Sequence, residues 1–197
     1  MRFDRKFPST AVAVLTLIFS LAAVSLGQGH GNSFPNIKIK NFGQMDQRFY
    51  RGAQPKEQDY KDLAALGIKT VIDLREDSES YEKRDVEALG MRYVNIPMGD
   101  KQYPKIEQVN QFLKLVNDSA TGSFFVHCAG GRHRTGVMGA VYRFNHDHWN
   151  FDQVYAEMKD YDFYTRFGHG AMKDFVQDYW QKIQSTQAAA IPATVTR

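Results

Sequence analysis

Ten consecutive residues restrict the fold of this chain more than any others: His127-Cys128-Ala129-Gly130-Gly131-Arg132-His133-Arg134-Thr135-Gly136. The apolar run Phe124-Phe125-Val126 precedes them, and Val137-Met138-Gly139-Ala140-Val141-Tyr142 follows. That order predicts a strand, a tight glycine loop and a helix N-terminus. The first N–H groups of a helix lack intrahelical acceptors, and the helix dipole is positive there, so the arrangement is an anion site. Gly130 and Gly131 allow positive φ and close approach of the backbone to an oxyanion.

The loop carries chemistry as well as shape. Cys128 opens it and Arg134 lies six residues on. A helix N-terminus and nearby cations lower a cysteine pKa from ~8.5 into the range ~3.5–7.5, which makes the reactive thiolate. The planar guanidinium of Arg134 offers two parallel donors to a phosphate. A thiolate below and a guanidinium fork on the rim suit in-line attack on a phosphate monoester, giving a cysteinyl-phosphate. Thr135 is placed to donate its hydroxyl to the departing thiolate. Ala129, Gly130, Gly131, Arg132, His133 and Arg134 form the substrate-binding stretch, while His127 and Gly136 support it from behind. No Gly-Lys-Ser/Thr closes the loop, which excludes a nucleoside-triphosphate P-loop.

The rest of the chain alternates strand and helix patterns. Strands are expected at Arg48–Arg51, Thr70–Leu74, Met91–Ile96 and Phe124–Val126. Helices are expected from Pro55 to Leu66, Ser78 to Leu89, Ile106 to Val116, 134–145, Phe151 to Lys159 and Ala171 to Ile183. The charge of the second helix reads as a solvated face. This pattern predicts an α/β fold with a mostly parallel central sheet flanked by helices. Ligands of such sheets bind beyond the carboxyl ends of the strands. Both the cysteine loop and Pro97-Met98-Gly99-Asp100-Lys101-Gln102-Tyr103-Pro104 follow strand ends, so they can meet.

His-Cys-x-x-Gly-x-x-Arg-Thr-Gly resembles the signature of cysteine-dependent protein tyrosine phosphatases in their dual-specificity branch. The Arg-His-Arg-Thr-Gly ending is similar to the plant and fungal atypical members and to bacterial relatives. Tyr50-Arg51-Gly52-Ala53-Gln54-Pro55, Gly67 to Arg75 and Tyr93 to Met98 extend the likeness over roughly residues 42–183. The resemblance implies a dual-specificity-phosphatase-like fold. It also implies a general acid, an aspartate on a loop upstream of the cysteine, and Asp100 is the candidate. Glu107 is the fallback, although a carboxylate in the first turn of a helix serves the dipole anyway. Asp73 and Arg75 are read as structural hydrogen-bonding residues. Two other readings stay open: a rhodanese-like sulfurtransferase, and a non-catalytic phosphate-binding module.

Of 197 residues, 43% are hydrophobic and 13% aromatic, enough for a sizeable core. The net charge of +3 is too small to argue for nucleic-acid binding. Arg2, Arg5 and Lys6 precede the uncharged stretch Ala11 to Leu26, and Ser25 and Gly27 suit a signal-peptidase site. Residues 1–27 are therefore expected to be a signal peptide, with a mature start near Gln28 and no stable membrane insertion after cleavage. Export to the periplasm or medium follows; the alternative is a membrane anchor through an uncleaved segment. Residues 28–41 read as a linker, 42–184 as the phosphatase domain and 185–197 as a disordered tail. One cysteine permits no internal disulfide. His146, His148 and His169 fit no zinc spacing and are read as surface residues, so no metal and no cofactor is implied. The expected substrate is a phosphorylated protein or an inositol phosphate, handled by a monomer. Arg132 and His133 are expected to act as rim cations that favour compact polyanions.

Overall fold

A computed structural model describes residues 34–190. The signal-peptide expectation for residues 1–27 therefore lies outside the described residues. The runs Thr70–Arg75 (β3) and Phe124–Cys128 (β5) are buried along their whole length, as strands covered on both faces must be. With Gly43–Gln44 (β1), Phe49–Ala53 (β2) and Arg92–Met98 (β4) they form one sheet in the order β1-β2-β5-β3-β4. All pairings are parallel except β1 with β2. The mostly parallel sheet expected from the alternating pattern is present. The two-residue edge strand β1 was not foreseen, because two residues show no periodicity.

Strand alternation sorts the side chains of β5 onto two faces. Phe124, Val126 and Cys128 join the larger core, which packs against Ile106–Asn117 (α3), His133–Tyr142 (α4), Phe151–Asp160 (α5) and Gly170–Ala190 (α6). Phe125 joins the smaller core, with Tyr60 and Leu63 of Asp59–Ala65 (α1) and Val86 of Glu82–Ala88 (α2). His127 shares the Phe125 face. This parity sends the nucleophile toward α4 and its neighbour His127 toward α2.

Several boundaries differ from the sequence reading. Residues 34–41 are not a free linker. Ile39 is buried, and Phe34, Ile37 and Phe42 pack on the smaller core. Phe42 stacks on Phe125 at 5.9 Å, and the Lys40 carbonyl accepts the Ala53 N–H at 2.8 Å. α1 begins at Asp59 rather than Pro55, where the Asp59 carboxylate accepts the Lys56 N–H at 2.8 Å. α4 ends at Tyr142, and a π-helical turn follows over Arg143–Asp147. There Arg143 is held by Glu157, Asp147 and the face of Trp149. α6 runs on to Ala190, so the stretch read as a tail is helical at its start.

Candidate active site

The loop after β5 is built so that its carbonyls are used up on the outside. The Ala129 carbonyl accepts the Gln54 N–H at 3.3 Å, and Gly130 accepts Asn41 Nδ2 at 2.8 Å. Gly131 accepts Arg51 Nη2 at 2.9 Å. A peptide's N–H points opposite its carbonyl, so the N–H groups of residues 130–132 turn inward. Gly131 has φ +66°, and a Cβ there would stand 2.5 Å from the Gly52 carbonyl carbon. Gly130 differs from the expectation: its φ is not positive, and a Cβ would meet nothing nearer than 3.7 Å. Of the two glycines, Gly131 is the one that the turn requires.

Cys128 is buried at the floor. Burial alone pushes its thiol up. The Thr135 hydroxyl and N–H, the Arg134 guanidinium and the Gly130 N–H outweigh that and hold it below its ordinary value. Thr135 Oγ1 is buried without an aligned hydrogen bond, so its hydroxyl is available to the sulfur it flanks. Arg134 is buried, and its Nη1 donates to the Met98 carbonyl at 3.1 Å. That bond ties the end of β4, and the Asp100 loop behind it, to the cysteine loop. Asp100 itself is exposed, two residues beyond that anchor. Glu107 lies exposed in the first turn of α3, where it serves the helix terminus.

Behind the nucleophile, His127 is fully buried with Nε2 2.7 Å from Glu82 Oε1 and Nδ1 3.9 Å from Asp73 Oδ1. The contact with Glu82 is a close ion pair off hydrogen-bond alignment. Burial would lower the His127 pKa, but Glu82, Asp73 and the Cys128 thiolate outweigh it and raise it. Glu82 moves the complementary way: burial raises it, while His127, Gln54 and Tyr60 lower it further. The reading of α2 as a wholly solvated face is thus corrected at Glu82, which is fully buried. The trio Asp73, Glu82 and His127 has metal-ligand donor types within 4.8 Å. Their atoms are also engaged by Arg75 N–H, Tyr93 Oη and Gln54 Nε2. Arg75 in turn holds Gln54, Asp77 and Glu79, the structural role expected for it.

Two histidine expectations are overturned. His133 is buried, and its Nε2 lies 3.0 Å from the Tyr164 carbonyl. His169, read as a surface residue, is also buried and stacks on His133 with ring centroids 3.6 Å apart and planes within 2°. Burial first, then His169, Arg132 and Arg134, push the His133 pKa down to about 4. Its side chain is therefore neutral at neutral pH and is no rim cation. Arg132 is partly exposed, and its Nε sits 3.7 Å from Asp162 Oδ2. His146 and His148 are exposed, as expected.

Arg51, Asn41, Gln54 and Glu82 support the loop and went unrecognised in the sequence. Only Arg51 and Gln54 carried a signal, through their place in Tyr50-Arg51-Gly52-Ala53-Gln54-Pro55. Arg51 is buried with its guanidinium 3.8 Å from the Tyr161 ring centroid. The aromatic segment 161–164 therefore packs partly as core and partly as a brace for the loop.

A family model described as "DSP-PTPase phosphatase fused to NAD+ Kinase" matches residues 21–177. The "Probable NAD kinase 2, chloroplastic" of Oryza sativa subsp. japonica is 33% identical over 101 residues, 48% of this chain and 10% of that protein. The chain thus spans about a tenth of the length of these plant relatives. The "Probable tyrosine-protein phosphatase DG1060" of Dictyostelium discoideum is 29% identical over 144 residues, 70% of this chain and 82% of that protein. The core catalytic domain of the PP-IP phosphatase SIW14 from S. cerevisiae matches with TM-score 0.62 at 20% identity, over 76% of this chain and 94% of that one. That likeness speaks for the fold, and none of these relatives favours the sulfurtransferase reading. Because the match covers residues 21–177, with the whole sheet, the cysteine loop and the start of α6, this chain belongs to the family of DSP-PTPase phosphatases described from fusions to NAD+ kinase.

Proposed function

We propose that the chain hydrolyses phosphomonoesters through a cysteinyl-phosphate. The observation that carries this is the lowered Cys128 thiol, set under inward N–H groups and beside Arg134. The thiolate attacks phosphorus, the bond from phosphorus to the leaving oxygen breaks, and Asp100 gives that oxygen a proton. Water then attacks the phosphorus of the intermediate and gives a proton to the Asp100 carboxylate, which restores the acid, while the sulfur–phosphorus bond breaks and inorganic phosphate leaves. Thr135 donates its hydroxyl to the sulfur as it leaves. The N–H groups and Arg134 neutralise the charge gathering on the equatorial oxygens. The substrate is a phosphorylated protein or an inositol phosphate, chemistry that the names of the Dictyostelium and yeast relatives carry. Export through residues 1–27 belongs to the same reading and rests on the charged and apolar pattern of that segment.

The purified chain should release phosphate from a phosphomonoester in excess chelator, and vanadate should inhibit it. Cys128→Ser should abolish turnover while retaining phosphate binding, and Arg134→Ala should damage both. Full turnover by Cys128→Ser would end this reading.

A further inference from the structure

The Asp100 loop is held at two peptides. On one side, Arg134 Nη1 donates to the Met98 carbonyl at 3.1 Å. On the other, His169 Nδ1 lies 3.0 Å from the Asp100 carbonyl. A carbonyl only accepts, so Nδ1 carries the proton and donates. Gly99 and Asp100 span the gap between these anchors. Holding the peptide that follows Asp100 fixes the direction in which its Cα projects the carboxyl group.

Both anchors are rooted in adjacent residues of one helix start. Arg134 acts directly. His169 acts through its face-to-face stack on His133, whose Nε2 donates to the Tyr164 carbonyl at 3.0 Å. The Tyr164 ring stands edge-on to both imidazoles, at 4.4 Å from His133 and 5.4 Å from His169. The turn before His169 has Phe167 at φ +60° and Gly168 at φ +91°, an uncommon conformation for a phenylalanine. That strained turn delivers the His169 ring into the stack just ahead of α6.

We propose that His169 is a positioning residue for the acid step: it registers the Asp100 loop to the cysteine loop, so that the carboxyl group meets the leaving oxygen. The inference rests on the reading of Asp100 as general acid. His169 touches no reacting atom, and its effect passes through one carbonyl.

The test compares kcat/KM on two esters, which reports the steps through departure of the leaving group. p-Nitrophenyl phosphate has a leaving group that departs without a proton; phenyl phosphate has one that needs it. In His169→Phe the flat ring stays and the donor goes. Its kcat/KM on phenyl phosphate should fall about 10- to 100-fold, the scale of a misplaced catalytic group. The loss on p-nitrophenyl phosphate should be several times smaller. The ratio between esters does not depend on the fraction of protein folded, so a partly unfolded variant still gives an answer. His169→Asn, which puts an amide N–H near the position of Nδ1, should bring the ratio back toward the parent. Asp100→Asn should show the same ester-selective loss, about 10²–10⁴ on phenyl phosphate, and adding His169→Phe to it should cost little more. Equal losses on both esters in His169→Phe, with Asp100→Asn still selective, would overturn the positioning role alone. No selectivity in Asp100→Asn would remove the acid reading, and this inference with it.

Discussion

A single Cβ separates a working anion loop from a broken one at Gly131. An alanine there would sit at φ +66° and meet the backbone of Gly52 and Ala53 at 2.5–2.6 Å. Neither backbone atom can swing aside as a flexible side chain would. The left-handed conformation alone costs about 1–2 kcal/mol for a residue with a Cβ. Gly131→Ala should therefore lower stability by more than about 2 kcal/mol in denaturant titration and weaken vanadate binding. Gly130→Ala, with open space around it, should cost much less stability. Equal costs at the two positions would contradict the geometry.

At the scale of elements, β5 and α2 are joined by the buried pair His127–Glu82. His127 is raised above its ordinary 6.5, so its stabilisation is complete below that pH and fades as pH rises through the higher folded value. Glu82 is lowered below its ordinary 4.5, so its share is present above 4.5 and fades as pH falls through the lower folded value. The pair stabilises most between those two ordinary values. Glu82→Gln should cost about 3–5 kcal/mol near pH 6, the usual loss on breaking a buried pair. The gap to the parent should narrow in denaturation series carried to alkaline pH, as the parent's His127 loses its proton on passing through its raised folded value. A gap independent of pH would mean that Glu82 acts through packing and neutral hydrogen bonds alone.

For the whole molecule, the boundary of the folded unit lies N-terminal to the expected one. If the chain is exported as proposed, protein recovered outside the cytoplasm should begin near Gln28, as read by N-terminal sequencing. Full-length protein retained in the cytoplasm would contradict that. A start at Gln28 leaves the segment 34–41 in place. Trimming further, to begin at Phe42, removes the buried Ile39 and the Asn41 bond to the Gly130 carbonyl. The shorter chain should lose at least about 3–5 kcal/mol, from the buried Ile39, the packed Phe34 and Ile37 and the hydrogen bonds of Lys40 and Asn41, and show a lower Tm. An unchanged Tm would return residues 34–41 to the status of a linker.

The sequence by itself determined the order of strand, loop and helix around Cys128, the parallel sheet, and the roles open to Cys128, Arg134 and Thr135. These are local: they follow from runs of apolar residues, from fixed spacing within ten residues, and from the chemistry of a thiol beside a guanidinium. Tertiary structure decided which polar residues support that loop. Glu82 sits in a charged run that looks solvated, yet the turn of α2 and the parity of β5 bring it against His127. His169 lies 36 positions from His133 and shares no pattern with it, yet packing of the turn before α6 against the start of α4 stacks their rings. Asn41 and Ile39 lie in a stretch rich in Gly, Asn, Ser and Pro, where hydrophobic periodicity is too short to reveal an anchor. Burial and partner choice depend on contacts between segments far apart in the chain. Side-chain type and spacing along one segment carry no record of those contacts.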